Sequence, residues 1–155
     1  MNSFLKQCIE RGLPVILDYD GVLFEARFAE FKINAIMDEP KLIQAHREGQ
    51  SLDTTPIRFM QDFVSSLTNP VFVLSHIHDD IEEENKRNLL DKYYSGLVLI
   101  RAYSTDDKIQ HLLEIATEYG GFIYIDDTLP YIAHFEEVLG DHPNCYFFHV
   151  SSLYV

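Results

Sequence analysis

Five short apolar runs constrain this fold more than any other feature of the chain: Pro14 to Leu17, Val71 to Leu74, Leu97 to Ile100, Phe122 to Ile125 and Cys145 to Phe148. Their apolar positions are continuous rather than alternating, the pattern of strands covered on both faces. Segments of helical period separate them. Ile109, Leu112, Leu113 and Ala116 follow the i, i+3, i+4, i+7 rule, Ile57, Met60 and Val64 do likewise, and Ile132, Phe135, Val138 and Leu139 fit more loosely. Thr55-Pro56 and Thr128-Leu129-Pro130 each place a capping hydroxyl near a first-turn proline, and Asp80 with Glu83 makes a capping box. Strand and helix in alternation predict an α/β chain: right-handed crossovers, a parallel sheet and helices on both of its faces.

The spacing of the runs carries a second message. Residues 75 to 96, 101 to 121 and 126 to 144 provide connections of 22, 21 and 19 residues, each enough for one crossover helix. Residues 18 to 70 number 53, an excess of about 30 over a simple crossover. Phe24, Phe28 and Phe31, at i, i+4 and i+7, predict helix there, so residues 24 to 53 read as a small helical cap inserted after the first strand. With 155 residues and no linker-like tract, the chain reads as a single domain, 1 to 155, that includes this insert. Its 46% hydrophobic content is enough for a core without metal or disulfide support.

The 25 Asp and Glu outnumber 12 Lys and Arg, and a net charge of -13 repels polyanions. This excludes a nucleic-acid polymer as partner. Only Cys8 and Cys145 are cysteines, the amino terminus is not signal-like, and no apolar run approaches the ~20 residues of a membrane span. The expectation is a soluble cytoplasmic protein with no membrane partner.

Four of the runs end at Asp18, Ser75, Arg101 and Asp126. In an open parallel sheet, ligands bind outside the carboxyl ends of the strands. Adjacent ends would gather Asp18, Asp20, Ser75, Asp126 and Asp127 around one crevice. So many carboxylates need raised pKa values or a cation, and Mg2+, which takes a few carboxylates, waters and substrate phosphate, suits them. Lys108 falls in the first turn of a helix after the cap-like Ser104-Thr105-Asp106-Asp107. There it opposes the helix dipole and calls for an anion, either Asp18 or a bound phosphate. Ser75 can donate a hydroxyl to the same phosphate, and Gly21 gives the turn at 19 to 22 the freedom to form an anion-binding nest.

Asp18-Tyr19-Asp20-Gly21-Val22 after one strand, Ser75 after a second, Lys108 before a third, and Asp126-Asp127 closing it resemble the four ordered motifs of the haloacid dehalogenase-like (HAD) superfamily of phosphohydrolases. The resemblance covers nearly the whole chain. It implies a three-layer Rossmannoid fold with a five-stranded parallel sheet in order 5-4-1-2-3, and a C1-type cap where residues 24 to 53 lie. Leu74-Ser75 followed by Asn85, Lys86, Leu90, Asp91 and Tyr93 is similar to small nucleotidase-like members. Carried over by position, Asp18 is the nucleophile and Asp20 the general acid and base. Ser75, Lys108 and Gly21 bind phosphate, and Asp18, the Asp20 backbone carbonyl, Asp126 and Asp127 hold Mg2+. The chain departs from the pattern at Val22, where many members have Thr, and in the bare Asp126-Asp127 form of the last motif. Asp20 argues against dehalogenation, because a halide leaves without a proton whereas an alkoxide benefits from an acid.

Other readings exist for the same residues. Asp20-Gly21 could be a hairpin turn joining Val15-Ile16-Leu17 to Val22-Leu23-Phe24. One of Asp126 and Asp127 could cap the next helix, Lys108 could be a solvated lysine, and Tyr19 could pack beneath its loop. The acidic run 79 to 84 reads as a solvated helix start, and Arg27, Lys32 and Arg58 are candidate substrate selectors. His76-Ile77-His78-Asp79-Asp80 matches half of a metallo-beta-lactamase signature, so that His76, His78 and Asp80 could hold Zn2+ in a hydrolase. Ile81 stands where that signature ends in histidine. A phosphorelay receiver domain would need its acid pair and lysine in a different order. The function expected from the residues is therefore a Mg2+-dependent phosphatase acting on a small phosphorylated metabolite, with a nucleoside monophosphate preferred. The alternative is a protein of the same fold that binds a ligand or partner without turnover.

Overall fold

The computed structural model describes residues 1–25, 32–33, 36–37, 40, 44 and 54–154. Its main sheet contains β1 (Val15–Leu17), β4 (Val71–His76), β5 (Val98–Ala102), β6 (Phe122–Asp126) and β7 (Cys145–His149). These are the five apolar runs, trimmed by one at Pro14 and Leu97 and, in every strand but β1, extended by one or two residues at the carboxyl end. All neighbours are parallel, and the order is β5-β4-β1-β6-β7. That is the expected order read from the opposite edge. β1 is central, with Leu17 in register with Val73 and Ile125, so its carboxyl end meets the ends of β4 and β6. The chain does not turn back as a hairpin after β1, because both edges of that strand are already occupied.

Strand parity divides the core. Val15, Leu17, Val73, Ile123 and Ile125 pack with Leu5 and Cys8 of α1 (Ser3–Glu10), Met60 and Phe63 of α2 (Arg58–Ser66) and Leu89 and Leu90 of α3 (Asp80–Tyr93). Ile16, Leu74, Phe122 and Tyr124 face the other way, onto Ile109, Leu112 and Ile115 of α4 (Thr105–Tyr119) and Phe135 and Leu139 of α5 (Leu129–Leu139). Two helical layers thus enclose the sheet, as side chains alternating along a fully covered strand require. No helix among the described residues is long and apolar enough to cross a membrane.

Several local expectations need correction. α3 is capped by Asp79, whose Oδ1 accepts from the Glu82 N–H at 2.9 Å, one residue earlier than the Asp80 box. Neither Thr55 nor Thr128 caps through its hydroxyl: α2 begins after Ile57, and the Thr128 Oγ1 donates to Asp127. Val138 is exposed rather than core. α1, capped by the Asn2 side chain, was not anticipated.

The insert is stapled at its base. Phe24 bridges Pro56, the Glu25 N–H donates to the Thr55 carbonyl at 2.9 Å, and the Ile57 N–H donates to the Leu23 carbonyl at 2.9 Å. These bonds hold Thr55-Pro56 extended, which is why no helix starts there. Phe24 is not part of a helical stripe; it is buried and stacked on Tyr19 at 4.6 Å. Within the insert, β2 (Lys32–Ile33) and β3 (Ile36–Met37) form an antiparallel pair. Arg27, Phe28, Phe31 and most of the expected cap lie outside the described residues.

Candidate active site

Asp18 continues β1 with the parity of Ile16, which directs it toward the α4 layer. Lys108 reaches it from that layer, its Nζ donating to Asp18 Oδ1 at 2.9 Å. The cap works as expected, with Ser104 Oγ accepting from the Asp107 N–H at 3.1 Å. Lys108 is buried, not solvated, and its counter-anion is Asp18. Burial opposes the charge of its ammonium, but Asp18 and Asp126 outweigh that cost and hold its pKa above the ordinary lysine value.

Asp126, at the end of β6, is fully buried. Its Oδ2 accepts a 2.5 Å hydrogen bond from the Tyr124 hydroxyl and its Oδ1 accepts from the Thr128 N–H at 2.8 Å. Tyr124 lies two residues back on the same strand face, and burial, with Asp126 beside it, keeps its phenol protonated as the donor. Asp127 follows. Its carbonyl lies 3.1 Å from His149 Nε2, and its carboxylate packs onto Gly21, where a Cβ would come within 2.0 Å of Asp127 Oδ2. Gly21 also adopts φ +77°, so the turn needs glycine twice over. Its N–H donates to the Phe24 carbonyl at 2.8 Å rather than into the crevice. Gly21 therefore shapes the loop instead of offering its own amide to a phosphate.

Asp18, Asp126 and Asp127 each present a carboxylate oxygen within 4.8 Å of the others, the one such group of potential metal ligands among the described residues. Burial pushes the Asp18 carboxyl up to about 6 against the pull of Lys108, and Asp126 and Asp20 push it further. Asp126 and Asp127 are raised as well, chiefly by burial. Three crowded oxygen donors facing one lysine form an undercompensated negative site that a hard divalent cation satisfies. The residues present fit Mg2+.

A second cluster lies on the opposite face. Ser75 shares the parity of Val73 and so faces α3, from which Lys86 reaches the end of the sheet. The Lys86 Nζ donates to Asp20 Oδ2 at 2.9 Å and to Ser75 Oγ at 2.9 Å, and pairs with Glu82 Oε1 at 3.2 Å. It also sits 4.7 Å from the Tyr19 ring centroid. Tyr19 does pack beneath its loop. Burial opposes the Lys86 charge, yet Asp20 and Glu82 raise its pKa above the ordinary value. Glu82 is 2% exposed, so the acidic run is not wholly a solvated face. Ser75 accepts from Lys86 through Oγ, and its own hydroxyl makes only a long bond, 3.5 Å, to the His76 carbonyl.

Asp18, Asp20, Ser75, Lys108, Asp126 and Asp127 thus meet at the carboxyl ends of β1, β4 and β6. Arg101 does not join them; its Nη1 pairs with Asp80 at 2.6 Å and Glu83 at 3.0 Å. Nor do His76, His78 and Asp80 form a three-ligand group: the two imidazole rings lie 4.7 Å apart, but Asp80 does not join them. His76 Nε2 is 2.9 Å from the Tyr103 carbonyl, His78 Nδ1 is 3.0 Å from Glu82, and Asp80 turns outward to Arg101. Arg58 is exposed at the start of α2. Sequence reasoning gave no role to Lys86, Glu82 or Tyr124. The Glu82–Lys86 spacing of i, i+4 and the Tyr124–Asp126 spacing of i, i+2 were the signals available. No protein-family model matches this chain, and no curated protein sequence matches it.

Proposed function

We propose that this chain is a Mg2+-dependent phosphatase that hydrolyses a small phosphomonoester, such as a nucleoside monophosphate, through a phosphorylated Asp18. The observation that carries the reading is the convergence of the Asp18, Asp126 and Asp127 carboxylates within 4.8 Å, with Lys108 bonded to Asp18. Lys108 fixes one oxygen of Asp18 and orients the carboxylate. The Asp18 oxygen attacks phosphorus as the ester P–O bond breaks, and Asp20, two residues along the same turn, gives its proton to the departing alkoxide. Asp20 then takes a proton from water, whose oxygen attacks phosphorus. The bond to Asp18 breaks, releasing inorganic phosphate. Ser75 and Lys108 bind the phosphoryl oxygens, placing a neutral and a charged donor on opposite sides of β1. Asp18, Asp126, Asp127 and the Asp20 carbonyl would hold Mg2+, which would supply neutralisation of the charge on the transferring group.

The reading predicts phosphate release from at least one member of a panel of phosphorylated metabolites, in Mg2+ but not in chelator. Asp18→Asn abolishes it. Turnover that survives the substitution, or that requires Zn2+ and His76, contradicts the proposal. Folded protein that binds a phosphorylated compound without turnover supports the non-catalytic alternative.

A further inference from the structure

Asp20 has two carboxylate oxygens and only one is tied down. Oδ2 accepts from Lys86 at 2.9 Å, and the side chain is 32% exposed, which leaves Oδ1 for the proton transfer assigned to Asp20. Lys86 cannot wander. Its side chain is 2% exposed, and its three N–H bonds go to Asp20, Ser75 and Glu82. Glu82 is itself held by the turn before α3, because its Oε2 accepts from the His78 N–H at 2.7 Å and lies 3.0 Å from His78 Nδ1. A continuous buried chain therefore runs from the β4–α3 turn through Glu82 and Lys86 to Asp20. A solvated carboxylate on a tight turn would sample several rotamers; one bonded to a triply anchored ammonium is held in one.

From this chain of contacts we infer that Lys86 is the positioning residue of Asp20, and that Glu82 holds Lys86 in place for that task. The inference rests on the reading of Asp20 as general acid and base. Lys86 makes no hydrogen bond to the Asp18, Asp126 and Asp127 group or to Lys108; its bonded partners at the crevice are Asp20 and Ser75, and of these only Asp20 handles the proton of the leaving group. A general acid matters most when the leaving group is poor. Substrates that differ only in the leaving group therefore separate loss of the acid from general damage.

The test compares an alkyl phosphate with 4-nitrophenyl phosphate, whose phenolate leaves with little help. Lys86→Met alone takes the ammonium away from the buried Glu82 carboxylate and destabilises the protein; Lys86→Met with Glu82→Gln removes both charges and keeps the shape. For that double variant kcat on the alkyl phosphate falls about 100-fold while kcat on the aryl phosphate falls less than about 10-fold, the pattern of Asp20→Asn. KM changes little. Equal losses on both substrates, or a loss confined to KM, overturn the proposal. A crystal structure of the double variant gives a readout independent of turnover: a displaced Asp20 carboxylate is expected, and an unmoved one overturns the proposal. If the wild type hydrolyses nothing, the phosphatase reading fails by itself, and that crystal structure still decides whether Lys86 positions Asp20.

Discussion

Two buried lysines flank the end of β1, one from each face of the sheet, and their surroundings are balanced differently. Lys86 faces Asp20 and Glu82, with Ser75 taking its third donor, and every charge has a partner at hydrogen-bond distance or close to it. Lys108 bonds to Asp18 alone among the acids, while Asp126 and Asp127 crowd the same space. The first cluster is closed by protein. The second carries an excess of carboxylate oxygen, and burial leaves Asp18 with a pKa of about 6. The difference separates positioning from chemistry: one side is built to stay still, the other to receive a cation and a phosphoryl group.

The sharpest way to break this comparison is to remove one charge from each side. Lys86→Met takes the ammonium from the buried Glu82 and the partly exposed Asp20 and lowers the stability of the protein by about 3–5 kcal/mol. Asp18→Asn relieves repulsion while keeping an acceptor for Lys108, and without divalent ion at pH 7 it raises stability by about 1–3 kcal/mol. Denaturant unfolding of the two variants reads both signs. Equal destabilisation would mean that the two clusters are alike.

The pH dependence sharpens the same point. Asp18 titrates near 6 in the folded chain against an ordinary value of 3.8. A raised folded pKa means that the native state holds the proton more tightly. The stability it contributes is complete below about 3.8 and is lost as pH rises through about 6. Glu83, lowered mainly by its bond to Arg87 and also by Arg101, has the opposite sign. Subtracting Asp18→Asn from wild type isolates the Asp18 contribution, which becomes less favourable by up to about 3 kcal/mol between pH 4 and pH 8. Saturating Mg2+ should cancel or reverse that trend, since it favours the ionised carboxylate. A difference that does not vary with pH would remove the electrostatic argument for a cation.

Tyr124→Phe tests the support behind Asp126. Loss of the hydroxyl that donates to Oδ2 weakens Mg2+ binding about 10- to 100-fold, as calorimetry can measure. Unchanged affinity would mean that this bond serves packing alone.

Much of this arrangement was legible in the chain, for physical reasons that differ by residue. Continuous apolar runs mark doubly covered strands, so the sheet and the placement of Asp18, Ser75 and Asp126 at its carboxyl edge follow from them. Lys108 was legible because a cation in a first turn calls for an anion. Lys86 was visible only as one position of the nucleotidase-like stretch, without a role, because it sits mid-helix in the polar stretch DIEEENKRNLLDKY and reaches the sheet edge through the length of its side chain. Glu82 was hidden in an acidic run whose other members cap the helix, face outward or pair with arginine. α1 buries only Leu5 and Cys8 over eight residues, too few positions for a helical period to register. Asp79 and Asp80 are equal as caps by composition, and only backbone geometry selects Asp79.

The central claim is that Asp18 carries the phosphoryl group. Quenching the protein during turnover with substrate and Mg2+, reducing any acyl phosphate with borohydride and mapping peptides by mass spectrometry tests it directly. The account predicts homoserine at position 18, absent when chelator replaces Mg2+ and absent from Asp18→Asn. Steady turnover with position 18 unmodified, or with the modification on another residue, would contradict it.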